Sequence, residues 1–568
     1  MRLQTLRAAA IGAGLLMGVA GWAHGQEAAG DWHGTLSIPT GELRLAVTLK
    51  PKPGGGYDGS MESLDQGGGP LPLEAVKVEG GELSFSVPAV HGGYDGHWDS
   101  GRKAWVGEWK QGASLPLVLM AGKPDPLPVI AGLDGDWATT IDLPTGAKLR
   151  LILHVRTGSG STVVLLDSPD QLAYGVPLPS FKREAGKVSF DITGSRFVGR
   201  LSADGHAIDG QWTGPNFSGP LSFAWKAAQA AAGPSRPQTP LPPFPYRTQE
   251  VTVVSAPGVS LAGTLTLPQG KGPFAAVVMI TGSGAQDRDE TILGHKPFAV
   301  IADRLTRDGI AVLRMDDRGF GKSTGDFAAA TDDDFAVDTA ADVAFLRGRP
   351  DIDPERVGLI GHSEGGLVAP KVAARDPKLA FIVLMAGPGV PLSEVLRLQR
   401  QKLAPAMGQT PEQIRKGQAL LDHVTAAMRD AKDEADARAR AVKVIRTEAG
   451  DLVRSDAQAE QLAAQLSSGW MRGLMDYDPR PTLAKVKCPI LALNGSKDGQ
   501  VPPEQNLPAI REATRANPDV TLVELPNLNH LFQTARTGAV GEYADIEETV
   551  APIALDTMSS WIRKHVSQ

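Results

Sequence analysis

The chain has 568 residues, of which 42% are hydrophobic and 21% are charged, with a formal net charge of −7. These proportions exclude an intrinsically disordered protein, and a chain of this length needs more than one hydrophobic core. The mild charge, without a basic stripe, excludes nucleic acid as an expected partner. Cys488 is the single cysteine, so no intrachain disulfide can form.

Residues 1–25 are typical of a secretory signal peptide. Arg2 and Arg7 stand at the start of a short apolar run over residues 8–23, which ends in small residues at alternate positions. The run is too short and too rich in glycine for a good membrane span. We therefore predict export to a bacterial periplasm or beyond, with no membrane span after cleavage. A retained N-terminal anchor is the alternative.

The part of the chain that follows contains the same sequence pattern twice. Short motifs recur 105 positions apart: Gly30-Asp31-Trp32 and Gly135-Asp136-Trp137, Asp65-Gln66 and Asp170-Gln171. Identities held at one offset indicate an internal duplication. We therefore predict two repeat units, over residues 26–126 and residues 130–226.

Each repeat unit is predicted to be all-β. Residues 43–49 and 149–155 alternate in polarity or run apolar between turns rich in glycine and proline. Many short strands in a unit of about one hundred residues favour a small barrel or a sandwich. The histidines of the units lack metal-ligand spacing, so no metal site is predicted there. Binding of a polymer, a wall component or a second subunit stays open.

A different organisation begins after a proline-rich stretch at 227–246, which predicts an extended linker. Strands and helices then alternate over residues 247–568, which is typical of a mostly parallel, doubly wound α/β sheet. Continuous apolar runs such as 274–280 are expected for strands that helices cover on both faces. Residues of about 391–480 separate two strands and carry apolar side chains at helical spacing, so they predict a helical cap insertion.

One short motif stands between a predicted strand and a predicted helix. It reads Gly361-His362-Ser363-Glu364-Gly365. A serine at such an abrupt turn is a nucleophile elbow, which holds the hydroxyl clear of the sheet. Glycines are needed on both sides, because a side chain there would collide with neighbouring elements. Ser363 is therefore the candidate nucleophile, and the N–H of Glu364 is a candidate donor to an oxyanion.

Two later residues supply the partners that such a serine needs. Asp498 follows the strand at 490–493, and His530 follows the strand at 520–525. The order serine, acid, histidine is that of α/β-hydrolases, and all three positions fall at the carboxyl edge of the sheet. We predict His530 as general base and then general acid, with Asp498 orienting its imidazole. His362 is expected to support the elbow.

The loop after the strand at 274–280 is expected to complete the oxyanion hole. The N–H of Ser283 is our first choice as the second donor, and Gly284 is the second choice. The residues predicted to bind substrate in the same loop are Gln286, Asp287 and Arg288.

Three separated motifs together resemble one family. They are the stretches Thr281–Asp289, Asp316–Ser323 and Gly361–Gly366. They are similar to those of the bacterial EstD-type carboxylesterases, which are α/β-hydrolases with a β domain ahead of the catalytic one. The resemblance covers about residues 250–565 and implies hydrolysis of carboxylic esters through the serine triad, without a metal or an organic cofactor. The serine aminopeptidase and prolyl-peptidase families share this core.

Three functions stay open at this point. The first is an exported serine esterase that acts on a small-molecule ester with a small or medium acyl group. The second is a peptidase that cleaves near a free N-terminus and binds the amine through carboxylates. The candidates for that role are Glu364, Asp287, Asp289 and Glu290. The third is a non-catalytic protein that binds the cell wall or a glycan. The sequence does not predict the oligomeric state.

Overall fold

The computed structural model describes residues 28–567 apart from short segments. The segments outside the description are 39–40, 67–68, 88–89, 91, 112, 126, 144–147, 159–160, 172, 193, 215–216, 227–234, 328, 405–408 and 454–455. The predicted signal peptide at 1–25 and the first part of the predicted linker therefore lie outside the described residues. Among the helices that are described, none has the length and apolar character that a bilayer span requires.

The first repeat unit is a single antiparallel sheet of nine strands. These are β1 Gly30–Ile38, β2 Gly41–Pro51, β3 Tyr57–Ser63, β4 Leu71–Pro72, β5 Glu74–Glu79, β6 Glu82–Val87, β7 Gly92–Asp99, β8 Ala104–Gln111 and β9 Ala113–Ala121. The strand order is β4-β3-β2-β1-β9-β8-β7-β6-β5, so the first strand pairs with the last. The two edge strands are consecutive in the chain, and β3 contacts β5. The sheet is therefore wrapped into a barrel around its apolar face.

The second repeat unit has the same order of nine strands. These are β10 Gly135–Asp142, β11 Lys148–Gly158, β12 Ser161–Ser168, β13 Ala173–Pro177, β14 Lys182–Glu184, β15 Lys187–Ile192, β16 Ser195–Leu201, β17 Ala207–Thr213 and β18 Ser218–Lys226. Between β12 and β13 a 3₁₀ turn spans Pro169–Gln171. The prediction that this half of the chain is largely β is confirmed.

The duplicated motifs make equivalent contacts in the two units. Trp32 and Trp137 are buried, and each indole Nε1–H donates to the carbonyl oxygen four residues earlier at 2.8 Å. In the first unit Arg44 pairs with Asp65, and the N–H of Arg44 donates to the same carboxylate. Arg150 repeats both contacts with Asp170 in the second unit.

The rest of the chain is an α/β domain built on an eight-stranded sheet. Its strands are β19 Arg247–Ala256, β20 Val259–Leu267, β21 Phe274–Ile280, β22 Ala311–Met315, β23 Ile352–His362, β24 Ile382–Met385, β25 Ile490–Gly495 and β26 Val520–Leu525. The order is β19-β20-β22-β21-β23-β24-β25-β26, with antiparallel pairing as far as β22 and parallel pairing beyond it.

Helices cover both faces of this sheet. They are α1 Pro297–Arg307, α2 Asp332–Arg347, α3 Gly365–Arg375, α9 Arg480–Leu483, α10 Pro503–Ala513 and α11 Pro552–Val566. Side chains of α2, α3 and α10 pack with one face of the strands, and side chains of α1 and α11 pack with the other. The central strands are buried on both sides, which explains their continuous apolar sequences.

Five helices form an insertion between β24 and β25, which we call the helical insertion. They are α4 Leu392–Leu403, α5 Pro411–Met428, α6 Glu434–Glu448, α7 Asp456–Ser467 and α8 Gly469–Asp476. Helices α5 to α7 pack around their own apolar cluster. Helix α7 contacts β9 of the first unit, and α8 contacts α2 beside the elbow.

Candidate active site

The elbow is a strained turn held by close backbone contacts. Ser363 lies between β23 and α3 with φ of +52°, and its N–H donates to the carbonyl of Met385 at 2.8 Å. A Cβ on Gly361 would collide with the carbonyl of Gly365, and one on Gly365 would collide with the carbonyl of Ile280. The two glycines are therefore required by close approach, and the turn presents Ser363 at the carboxyl edge of the sheet.

Asp498 and His530 form a buried pair at the same edge. The Nδ1 of His530 lies 2.9 Å from Oδ2 of Asp498, and both residues are at most 5% exposed. The other carboxylate oxygen of Asp498 accepts from the N–H groups of Gln500 and Val501, at 2.8 and 2.9 Å. These bonds fix the carboxylate, which in turn fixes the ring of His530, and no hydrogen bond among the described residues involves its Nε2.

The nucleophile and the pair come together through His362. The rings of His362 and His530 have centroids 4.9 Å apart, and His362 directly precedes Ser363. None of the hydrogen bonds among the described residues joins the hydroxyl of Ser363 to His530. Such bonds are often long in an unliganded enzyme and shorten in the complex with substrate.

His362 is held on both ring nitrogens. Nδ1 lies 2.9 Å from Oε1 of Glu290, and Nε2–H donates to the carbonyl of His530 at 3.0 Å. Burial lowers the pKa of His362, but the charge and hydrogen bond of Glu290, together with the carbonyl of His530, raise the pKa overall. Both contacts need a donating nitrogen, so the ring is an imidazolium that links the elbow to the backbone of His530.

Glu290 also fixes the loop that carries the predicted oxyanion donors. Its Oε1 accepts from the N–H of Gly282 at 2.8 Å, and Gly282 lies directly beside the Cβ of Ser363. The N–H groups of Ser283 and Glu364 make no hydrogen bond within the described residues. They flank Ser363 from the loop and from the start of α3, which is the arrangement that an oxyanion hole needs.

The three residues predicted to bind substrate have other partners. Arg288 pairs with Asp316 at 2.8 Å and with Glu250 at 2.7 Å. The carboxylate of Asp287 accepts from the backbone of Asp289 and Thr291, and from the hydroxyl of Thr291. The N–H of Gln286 donates to Asp317, and its side chain reaches only the carbonyl of Ser283, at 3.4 Å. These contacts hold the side chains of Asp287 and Arg288 within the loop and its neighbours.

A second buried carboxyl belongs to Glu364, the residue that follows Ser363. Oε1 of Glu364 accepts from the indole N–H of Trp470, on α8 of the helical insertion, at 2.7 Å. Burial and then the charge of Asp332 raise the pKa of Glu364 to about 8. Burial also raises the pKa of Asp332, whose nearest cation, Lys371, is 3.6 Å away. We call Glu364, Asp332, Lys371 and Trp470 the acid cluster.

A small cavity of about 50 Å³ opens beside the elbow. Gly282 and Glu364 line it on the side of Ser363, and Leu261, Phe327 and Phe335 contribute apolar surface. A water molecule needs about 10–15 Å³ measured in this way, so the cavity has room for a few waters or a short alkyl group. Among the described residues, no group of three or more His, Cys, Asp or Glu side chains has the arrangement of a metal site.

Two residues of the site were missed as such by the sequence analysis. Glu290 was considered only as an amine-binding group, and Trp470 was not considered. The signal for Glu290 is its place in the Thr281–Asp289 region, one residue beyond the motif. Trp470 gives no signal, because its contact with Glu364 spans 106 residues of chain.

Comparisons with known proteins agree with this description. The family described as serine aminopeptidase, S33, matches residues 295–534. Esterase EstD of Thermotoga maritima is 27% identical over 295 residues, which are 51% of this chain and 61% of that protein. The thiohydrolase aneE of Aspergillus aculeatus is 35% identical over 135 residues, which are 24% of this chain and 40% of that protein. The chain therefore spans less than two thirds of the length of these relatives.

Solved structures also match this chain. An esterase from Pyrococcus furiosus is 17% identical with a TM-score of 0.35, and the match covers 59% of this chain and 97% of that one. The structure of DcsB with its substrate analogue is 19% identical with a TM-score of 0.37, and the match covers 57% of this chain and 100% of that one.

Proposed function

The chain contains an α/β-hydrolase domain similar to esterase EstD, and from this premise we propose that it is an exported serine hydrolase of carboxylic esters. The observation that carries the proposal is the buried Asp498–His530 pair beside a strained elbow serine. The substrate is a small-molecule ester. Export rests on the signal-peptide pattern at residues 1–25.

The proposed reaction has two halves. The Oγ of Ser363 attacks the ester carbonyl while Nε2 of His530 takes the hydroxyl proton. The carbonyl oxygen becomes an oxyanion, which accepts from the N–H groups of Ser283 and Glu364. His530 then gives its proton to the leaving alcohol, and Ser363 carries the acyl group. Water attacks this acyl-enzyme with His530 again as base, which releases the acid and restores the serine.

Asp498 supports both halves through the imidazole. It accepts from Nδ1–H, so Nε2 is the basic nitrogen, and its negative charge stabilises the imidazolium that forms in each half. The two backbone bonds from Gln500 and Val501 keep the carboxylate in place.

The contacts of the carboxylates favour ester over peptide substrates. A peptidase acting near a free N-terminus needs an anionic group for the ammonium. Glu290 is paired with His362, Asp289 with Lys296 and Arg314, and Asp287 with backbone N–H groups. The remaining candidate is Glu364, whose raised pKa of about 8 keeps it protonated at neutral pH. None of the four predicted carboxylates is therefore a free anion.

The cavity beside the elbow supports a short acyl group. Its small volume suits an acetyl or butyryl chain, for which Leu261, Phe327 and Phe335 supply the apolar part of a lining that also contains charged side chains. Longer chains would have to displace the two phenylalanines, whose rings stack at 5.1 Å.

The proposal is tested with a substrate panel on the wild type and on Ser363→Ala. We expect hydrolysis of p-nitrophenyl acetate and butyrate, with much weaker hydrolysis of aminoacyl-p-nitroanilides. Ser363→Ala should lose at least about three orders of magnitude in kcat while remaining folded. A fluorophosphonate probe should label the wild type and not the variant. Faster cleavage of the anilides than of the esters would favour the peptidase. A folded wild type that the probe does not label would contradict the proposal that the protein is a serine hydrolase.

A further inference from the structure

The two β units carry the same Arg–Asp pair in different surroundings. In the first unit, Arg44 and Asp65 face residues 127–130 and 178–181, at the start and in the middle of the second unit. In the second unit, Arg150 keeps its bonds to Asp170 and reaches the hydrolase domain as well. Its Nη1–H donates to Asp545 at 2.8 Å. Among the described residues, the hydrogen bonds from this pair to the catalytic domain therefore come from the second unit.

The segment that Arg150 reaches follows the loop of His530, and we call residues 535–546 the clamp loop. Arg150 also donates to the carbonyl of Gly541 at 3.3 Å. Gly541 packs so closely on Asp170 that a side chain at this position would meet its backbone at 2.5 Å. The second unit thus holds the clamp loop by an ion pair, a backbone bond and a close packing contact.

The other side of the clamp loop holds the loop of Asp498. The Nζ of Lys497 donates to the carbonyls of Ala535 and Arg536, at 2.7 and 2.9 Å. Gly538 packs directly against the carbonyl of Lys497. The residue next to Lys497 is Asp498 itself, so movement of the clamp loop would displace the Asp498 carboxylate.

Tyr543 links the clamp loop to the groups that hold Asp498 and His530. It is 1% exposed, and its phenol oxygen accepts from Nε2 of Gln500 at 3.0 Å. The N–H of the same Gln500 donates to Oδ1 of Asp498 at 2.8 Å. The phenol also lies beside the backbone N–H of His530. One side chain of the clamp loop therefore touches the supports of both Asp498 and His530.

We infer that the second β unit positions the catalytic pair, with Arg150 and Tyr543 as positioning residues that act on Asp498 through the clamp loop. This inference rests on the proposed function. The contact is one partly exposed ion pair together with backbone packing, so the effect transmitted from Arg150 is modest, whereas Tyr543 is buried and acts directly.

The internal duplication supplies a matched control. Arg150→Ala and Arg44→Ala each break the same pair within a β unit, but only Arg150→Ala releases the clamp loop. We expect Arg150→Ala to lower kcat about fivefold with KM within about twofold. Tyr543→Phe should lower kcat about tenfold. Arg44→Ala should retain the kcat of the wild type, and Arg150→Lys should recover part of the loss through Asp545.

The pH profile separates positioning from a general loss of structure. A displaced Asp498 stabilises the imidazolium less, so the acid limb of kcat/KM should move to lower pH in Arg150→Ala and Tyr543→Phe. A variant that only unfolds more easily would lose amplitude without moving this limb. An unchanged kcat and profile in Arg150→Ala, or an equal loss in Arg44→Ala, would overturn the inference.

The rate of labelling by a fluorophosphonate tests the inference without requiring that the substrate class be correct. The probe reacts with Ser363 through the same His530 and needs no ester. If the wild type is labelled but hydrolyses no ester, the proposed substrate class is wrong, and slower labelling of Arg150→Ala than of Arg44→Ala still supports the inference. A wild type that is neither labelled nor active would overturn both.

Discussion

Two buried clusters beside Ser363 surround their carboxyl groups with different partners. In one, Glu290 and Asp498 each face a histidine and at least one backbone N–H. In the other, Glu364 faces Asp332 together with an indole N–H and a serine hydroxyl. Burial and the charge of Asp332 raise the pKa of Glu364, so an acidic neighbour in place of a histidine keeps this carboxyl protonated.

The two arrangements suit different tasks in the proposed mechanism. A carboxylate in the position of Asp498 would stabilise the imidazolium that forms on His530. The N–H of Glu364 is a proposed oxyanion donor, and a negative charge on the Glu364 side chain would oppose catalysis there. A neutral Glu364 would therefore favour the proposed reaction.

The largest effect is predicted for the removal of Glu290. Glu290→Ala leaves the imidazolium of His362 and the N–H of Gly282 buried without an acceptor. We expect the free energy of unfolding to fall by about 3–5 kcal/mol. We also expect kcat/KM for p-nitrophenyl butyrate to fall about 100-fold, because the loop of Ser283 loses its anchor.

The matched variant on the other side is Glu364→Gln. It replaces a carboxyl that is already protonated with an amide of the same shape. The free energy of unfolding and kcat/KM should therefore both fall only slightly at pH 6. Chemical denaturation and steady-state kinetics measure both variants. Equal losses in the two variants would contradict the difference in charge.

The second prediction concerns stability against pH. The pKa of Glu364 is raised from 4.5 to about 8, so between these values the folded protein holds a proton that the unfolded chain has released. Its contribution to stability is fully present below pH 4.5 and is lost as the pH rises to about 8. The free energy of unfolding of the wild type should therefore fall relative to that of Glu364→Gln by a few kcal/mol, on the order expected from linkage.

Denaturation curves at pH 5, 6, 7 and 8 test this prediction. Buried carboxyls outside the acid cluster, such as Asp317 with its pKa raised to about 8 by burial, affect both proteins alike. The difference between the two curves therefore reports on Glu364 together with Asp332, whose charge acts on it. Parallel curves would show that Glu364 is ionised throughout.

The smallest predicted effect tests the contact between the helical insertion and Glu364. Trp470→Phe removes the indole N–H that favours the ionised form of Glu364, so burial and Asp332 would raise its pKa further. Ionisation of Glu364 should lower kcat above about pH 8 in the wild type, and this alkaline limb should move to higher pH in the variant. KM should rise about twofold, since α8 loses a contact with the elbow.

Kinetics between pH 6.5 and 10 measure this shift. Trp225→Phe is the control, because Trp225 is 37% exposed and its indole N–H donates only to the carbonyl of Asp134, in the second β unit. An unmoved limb in Trp470→Phe, or the same shift in Trp225→Phe, would contradict the contact.

The strands and the elbow of the hydrolase domain could be predicted because each depends on residues that are close together in the sequence. A strand covered on both faces is apolar throughout, as in β21, and an elbow needs glycines on both sides of Ser363. Parallel strands bring their carboxyl ends to one edge, which is why Asp498 and His530 could be proposed from their order alone. The offset of 105 positions likewise predicts two similar units, and the two nine-stranded sheets have the same strand order.

Pairs between distant loops were not predictable in this way. Glu290 contacts His362 across 72 residues, and Arg150 contacts Asp545 across 395. A charged residue in a polar loop looks the same in sequence whether it binds substrate or another loop. Arg288 shows this, because the guanidinium predicted to bind substrate is paired with Asp316 and Glu250. Such choices depend on tertiary packing, which spacing along one chain does not encode.

The strand order of the β units bears on how such a chain changes in evolution. In each unit the first strand lies beside the last, with Trp32 opposite Ala121 and Asp136 opposite Lys226. The polypeptide therefore enters and leaves each unit at one seam. A unit added at such a seam needs only a short connection and does not spread its neighbours apart. Units added ahead of the second one would leave its contacts with the clamp loop unchanged.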